Sequence, residues 1–244
     1  MQAHHDVSAG EEQVAGGEPL RAPSGEGADI APELPRHAHA NSEERGRQAG
    51  PQHVAERAAG MKSLDQDGTN YCWANGPVNC VRVIRAVNGQ PFVDLSPASV
   101  AAPFTHYRNE GGFGTDALRY IVEHGVASTE FWPANAIDPR FDTPEMRKNA
   151  AKHRVTEWYD LRPGNFDQLA TCLLLGFPVA VGYNWWGHEV TALDLVETSP
   201  GVFGVRIWNS WGDSWSERGM AVLSESKGTP DDAVAPRVVH ASKD

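Results

Sequence analysis

The stretch DQDGTNYCWANGPVNC, residues 65–80, sets a cysteine between two aromatic residues, Tyr71 and Trp73, six positions after Gln66. Two readings of Cys72 compete. As a structural residue it is core, because free cysteine is among the most buried residue types. As a chemical residue it is a nucleophile, because a thiol at a helix start faces the positive end of the backbone dipole, which favours thiolate. The residues that follow do form a helical pattern. In CWANGPVNCVRVIRAVNG, residues 72–89, Val78, Val81, Ile84 and Val87 recur at helical spacing, and Asn88-Gly89 reads as the stop. Proline suits only the first turn of a helix, so Gly76-Pro77 belongs in the first turn and a half.

Composition narrows the function classes. A chain of 244 residues buries a full core, as one large domain or as two lobes. Its net charge of −11 argues against nucleic acid or an anionic membrane as the main partner, since either needs a basic patch. No apolar run reaches the length of a membrane-spanning helix. The first residues, MQAHHDVSAGEEQ, have neither a basic region nor an apolar one, so no secretory signal peptide is expected. Three cysteines, Cys72, Cys80 and Cys172, without a C-x-x-C pair, make neither a disulfide framework nor a zinc site of usual spacing. The expected compartment is reducing, and neither a metal nor a cofactor is expected.

Residues 1–58 contain no Phe, Trp or Tyr and are rich in Gly, Ala, Glu, Pro and His. That composition buries too little apolar surface to offset ordering entropy, so the segment reads as a flexible polar arm. His4, His5 and the HAHA run at 37–40 read as solvated rather than as metal ligands. Residues 59–226 read as the folded domain and 227–244 as a polar C-terminal tail. Within the domain, TDALRYIVEHG (115–125) and NFDQLATCLLLG (165–176) are amphipathic helices, with Gly125 as a stop and Asn165 as a cap. PVAVGYNWW (178–186), HEVTALDLVE (188–197) and GVFGVRIWNS (201–210) read as strands, with a turn at 198–201 and one more strand at 220–226. Helices first and sheet later predict an α+β fold.

A cysteine nucleophile needs a base, a group that orients the base, and a donor for the oxyanion. His188 begins one predicted strand and Asn209 ends the next. Antiparallel pairing through the 198–201 turn brings the two together, where an amide oxygen can fix the imidazole tautomer. Gln66 can donate to a developing oxyanion.

With those residues in place, the sequence resembles the papain-like cysteine peptidases. The family signature of Gln, five residues, Cys-Trp-Ala is here Gln66, DGTNY, Cys72-Trp73-Ala74. The His-Ala-Val block is His188-Glu189-Val190, and the Asn-Ser-Trp-Gly block is NSWGDSWSERG from Asn209 to Gly219. The family places its His and Asn about 130–150 residues after the Cys. Here the intervals are 116 and 137 residues, which describes a trimmed domain. The resemblance implies a helical lobe carrying the nucleophile helix, packed against an antiparallel β-sheet lobe, with a cleft between. It implies an endopeptidase in which Cys72 is the nucleophile, His188 the base, Asn209 the orienting group and Gln66 the oxyanion donor. It also implies that Gly111 and Gly112 pair with the substrate main chain, that Phe113 lines an apolar subsite, and that Trp211 covers the His–Asn hydrogen bond.

The departures are equally specific. Thr69-Asn70-Tyr71 replaces the usual Cys-Gly-Ser, removing a bridge cysteine. Cys80 and Cys172 read as core. Glu189 after the histidine is unusual, and reads equally as a group that tunes the imidazole and as a strand residue facing away. Trimmed, disulfide-poor versions resemble those of bacteria and phages, so the expected setting is a bacterial cytoplasm or a virion. The alternative function is a structural or interaction protein on the same scaffold, for instance a phage particle component. The expected partners are a peptide or protein substrate, and an assembly partner for residues 1–58.

Overall fold

The sheet and the helices meet along one buried helix, the one that begins at Cys72. The computed structural model describes residues 29–33 and 61–239. In chain order the elements are β1 (Asp29–Ile30), α1 (Cys72–Val87), α2 (Ala98–Phe104), α3 (Gly114–His124), α4 (Pro144–Ala150), β2 (Val155–Asp160), α5 (Phe166–Leu174), β3 (Val179–Tyr183), β4 (His188–Ser199), β5 (Val202–Trp208), β6 (Met220–Ser224), α6 (Glu225–Gly228) and β7 (Asp232–Val239). The sheet order is β1-β2-β7-β3-β4-β5-β6. The two-residue β1 runs parallel to β2, and every other pairing is antiparallel.

Every residue of α1 from Trp73 to Arg85 is buried, Pro77 included, so packing rather than intrinsic propensity stabilises this helix. Two hydrogen bonds lock it to β4: Thr191 Oγ1 donates to the Gly76 carbonyl at 3.1 Å, and Asn79 Nδ2 donates to Thr191 Oγ1 at 3.2 Å. The core divides across the sheet. One cluster joins α1 and α3 through Val78, Val81, Leu118 and Ile121. The other joins α5 to the opposite face through Leu169, Cys172, Val181 and Ile207. Strand periodicity shows in β3, where Ala180 belongs to the first cluster and Val179, Val181 and Tyr183 to the second. Gly125, just past α3, has φ of 84°, a conformation glycine adopts without strain. Asn165 caps α5 as expected, accepting from the Gln168 N–H at 2.9 Å.

Two expected boundaries are corrected. The polar tail at 227–244 is no tail over residues 232–239, which form β7 between β2 and β3. Its apolar residues are small, and GTPDD before it and the polar residues after it mask the pattern. Yet Ala233, Val234, Ala235 and Val239 are all buried. The arm is likewise no free segment over residues 29–33. Asp29–Ile30 adds to the β2 edge, Ala31 is buried, and its carbonyl accepts from Gln168 Nε2 at 3.1 Å. Asn165 Nδ2 donates to Glu33 at 3.0 Å, and Arg237 pairs with Asp29. A segment without aromatic residues becomes ordered here because the domain supplies the buried partners. The rest of 1–58, including His4, His5 and HAHA 37–40, lies outside the described residues. Four further elements, α2, α4, β2 and α6, were not anticipated.

Candidate active site

Cys72 is the first residue of α1, and Tyr71 before it is pinned by its hydroxyl to the Arg108 carbonyl at 2.8 Å. The backbone N–H groups of Glu189 and Trp73 lie close enough to the thiol to favour its thiolate form. This brings the start of α1 against the start of β4. His188 opens β4 after a tight turn, in which the Gly187 N–H donates to the Tyr183 carbonyl at 2.8 Å with φ of 62° at Gly187. The β4–β5 pairing, with Thr191 opposite Trp208, brings Asn209 alongside His188.

His188 Nε2 and Asn209 Oδ1 are 2.7 Å apart, and the Ser210 N–H donates to the same Oδ1 at 2.8 Å. An oxygen that receives the Ser210 donor also receives from the imidazole, so Nε2 carries the ring proton and Nδ1 keeps a free lone pair. Gln66 joins the same loop. Its N–H donates to the Ser210 carbonyl at 2.9 Å, its Oε1 accepts from Ser210 Oγ at 2.7 Å, and its Nε2 donates to the Thr69 carbonyl at 2.8 Å. One amide hydrogen of Gln66 is left over from these contacts. Trp211 stacks on His188 with ring centres 4.7 Å apart and an interplanar angle of 27°. Trp186 meets the imidazole edge-on at 4.9 Å, and its ring stacks with Trp185, which is 44% exposed.

The electrostatics differ from what the helix start alone predicts. Burial, and then the Glu189 carboxyl, push the Cys72 thiol up to about 11 against the pull of nearby backbone N–H groups. Burial pushes His188 down to about 4, opposed by its bond to Asn209. Desolvation therefore outweighs the helix dipole, and both the Cys72 thiol and the His188 imidazole are shifted toward their neutral forms.

The segment leading into α3 is tied to the loop before Cys72. The Asn70 N–H donates to Asn109 Oδ1 at 2.6 Å, and Trp73 Nε1 donates to the Glu110 carbonyl at 3.2 Å. Gly112 lies flat against the Trp73 indole, where a Cβ would come within 2.7 Å of ring atoms, while Gly111 faces open space. Phe113 follows in extended backbone, half-buried, just before α3. Cys80 and Cys172 are buried and unbridged. Glu189, left open between two readings in the sequence, is fully buried against Gly76 and Gly114. A carboxylate inside the apolar run HEVTAL was the available signal, since a buried acid must find a donor or hold a proton. Among the described residues no group of three or more His, Cys, Asp or Glu could hold a metal, and no helix is long and apolar enough to cross a membrane.

The fold is that of the papain-like cysteine peptidases, and the sequence is related to the same proteins. Chymopapain from Carica papaya is 25% identical over 201 residues, covering 73% of this chain and 56% of that protein. The cysteine endopeptidase RepA of Oryza sativa subsp. japonica is 27% identical over 207 residues, covering 71% of this chain and 52% of its own length. The structure of the bromelain protease from Ananas comosus, in complex with the E64 inhibitor, superposes with a TM-score of 0.61 at 21% identity, covering 76% of this chain and 97% of that one. The chain thus spans about half the length of the curated relatives it matches. No family model matches it.

Proposed function

We propose that this chain is a thiol endopeptidase acting through Cys72, His188 and Asn209. The observation that carries this reading is the His188–Asn209 hydrogen bond at 2.7 Å, with the next residue, Glu189, packed against Gly76 of the helix that Cys72 begins. His188 Nδ1 takes the thiol proton as sulfur attacks the scissile carbonyl carbon. The oxyanion is held by the Cys72 N–H and the spare N–H of Gln66. The imidazolium returns the proton to the leaving amine and the C–N bond breaks, leaving a thioester on Cys72. Water, deprotonated by His188, then releases the acid and restores the thiol. Because the resting pair is neutral, proton transfer accompanies attack rather than preceding it. Asn209 orients the ring throughout, and Trp211 keeps water from their hydrogen bond.

Gly111 and Gly112 offer main-chain contacts to the substrate. Phe113 favours an apolar side chain two residues before the cleaved bond. The natural protein substrate, and an assembly partner for the arm, belong to this reading as its biological setting. A purely structural scaffold is the alternative, and nothing in the site geometry favours it. The test is turnover of a fluorogenic peptide library together with labelling by a thiol-reactive epoxide. Turnover with label on Cys72 is expected. A folded protein that neither turns over peptides nor takes up the probe would leave the structural reading standing.

A further inference from the structure

Glu189 has no part in the steps above, yet the fold makes room for it from three sides. In the sheet register, Gly182 of β3 pairs with Glu189 of β4 on one side and with Asp232 of β7 on the other. Residues paired in this way present their side chains to one face. The glycine between them has no side chain, and a Cβ there would already lie 3.4 Å from that of Asp232, so no side chain stands between the two acids on that face. The helices that cover this space also contribute glycines. A Cβ at Gly76 of α1 would lie 3.1 Å from Glu189 Oε1, and one at Gly114 of α3 would collide with it.

Few donors reach this space. The Gly114 N–H serves Glu189, while Thr115 Oγ1, at 3.3 Å, and the Ala233 N–H serve Asp232. Glu189 Oε1 has no hydrogen-bond partner. The titratable groups acting on or acted on by the pair are Cys72 and Cys80 from α1, Asp116 from α3 and Asp160 from β2, none of them cationic. Two carboxylates enclosed together without a counter-charge do not both ionise.

Resting on the reading of Cys72 as nucleophile, we infer that Glu189 and Asp232 hold one proton between them beneath the thiol, and that this proton keeps charge off Glu189 so that Cys72 can become a thiolate. Burial raises both acids, Glu189 strongly and Asp232 to about 6, and after burial itself charge on Glu189 is the next cause that raises the thiols of Cys72 and Cys80. Glu189 therefore acts through Cys72 as a positioning residue, with no contact to substrate.

The direct test is carboxyl ¹³C NMR of glutamate-labelled wild-type protein at about pH 7. One glutamate should resonate as a protonated acid, and that signal should vanish in Glu189→Gln. A spectrum in which every glutamate is ionised overturns the inference. A second test reads thiol alkylation by iodoacetamide. Asp232→Asn removes the like charge and offers an amide N–H, so Glu189 ionises at lower pH and suppresses the thiolate. Labelling of Cys72 at about pH 8 should fall about three- to tenfold. The double variant Glu189→Gln, Asp232→Asn should regain the wild-type rate, a rescue that simple damage to packing would not give. Faster labelling in Asp232→Asn, or no rescue, overturns the inference. Neither experiment uses a peptide substrate, so a protein without peptidase activity would count against the proposed function alone.

Discussion

The side-chain oxygen of Asn209 accepts the Nε2 proton of His188 at 2.7 Å, which leaves Nδ1 of the imidazole as its basic nitrogen. Removing the base and removing its support should therefore differ. His188→Ala should abolish peptide turnover. Asn209→Ala should leave measurable activity, with a loss inside the about 10²–10⁴-fold that a general acid–base group contributes. Steady-state rates of the two variants on one peptide check this. Equal loss in both would mean that Asn209 does more than orient.

Gln66→Ala should lower the catalytic rate by about 10²–10³-fold, the usual loss for one oxyanion donor. Thiol alkylation, which forms no oxyanion, should stay near wild type in the same variant. A parallel loss in alkylation would place Gln66 in the support of the thiol instead.

Thiol reactivity should climb with pH. The Cys72 thiol is raised to about 11, so its thiolate fraction grows about tenfold per pH unit across the neutral range. A thiolate–imidazolium pair would instead give a plateau from acid pH. Mass mapping after brief alkylation should find Cys72 first, since Cys80 is fully buried and the Cys172 thiol is pushed to about 12 by burial. Because all three cysteines are unbridged, thermal melts with and without reductant should superimpose.

Two buried groups oppose each other in stability. His188 titrates near 4 folded against 6.5 unfolded, so it contributes stability that is lost as pH falls through that window, up to about 3 kcal/mol. Asp232 titrates near 6 folded against 3.8 unfolded, so its contribution is lost as pH rises through nearly the same window. His188→Gln should gain stability relative to wild type at about pH 4.5 compared with about pH 8. Asp232→Asn should show the opposite trend. Urea midpoints at the two pH values read both.

Gly112→Ala should cost about 1–3 kcal/mol through overpacking on Trp73, measured by the same unfolding curves. Gly111→Ala, facing open space, should cost far less. Equal costs would mean that the Trp73 contact yields freely.

The candidate site was legible where chemistry demands particular residue types at particular intervals. Gln66, Cys72, His188 and Asn209 announce themselves, and the β4–β5 hairpin follows from alternation and its turn. What stayed hidden has a common cause. β7 buries small residues between neighbours that only the folded chain supplies, and β1 borrows its order from the β2 edge. Glu189 is similar, since its role depends on Asp232 two strands away and on glycines at 76, 114 and 182. Burial of a carboxyl is set by tertiary neighbours, and no local pattern in HEVTAL names them. The thiol moved against the helix-dipole expectation for the same reason, because the dipole is a local effect and desolvation is not.

The position of β7 also orders events during synthesis. It is the last of the described strands in chain order and it inserts between β2 and β3, two strands made before it. Until it arrives, the sheet consists of two separate pieces, each with an open edge, and Gly182 lacks the Asp232 partner it has opposite Glu189. A nascent chain can therefore assemble α1 and the β4–β5 hairpin early, yet the floor of its cleft closes only when residues 232–239 emerge.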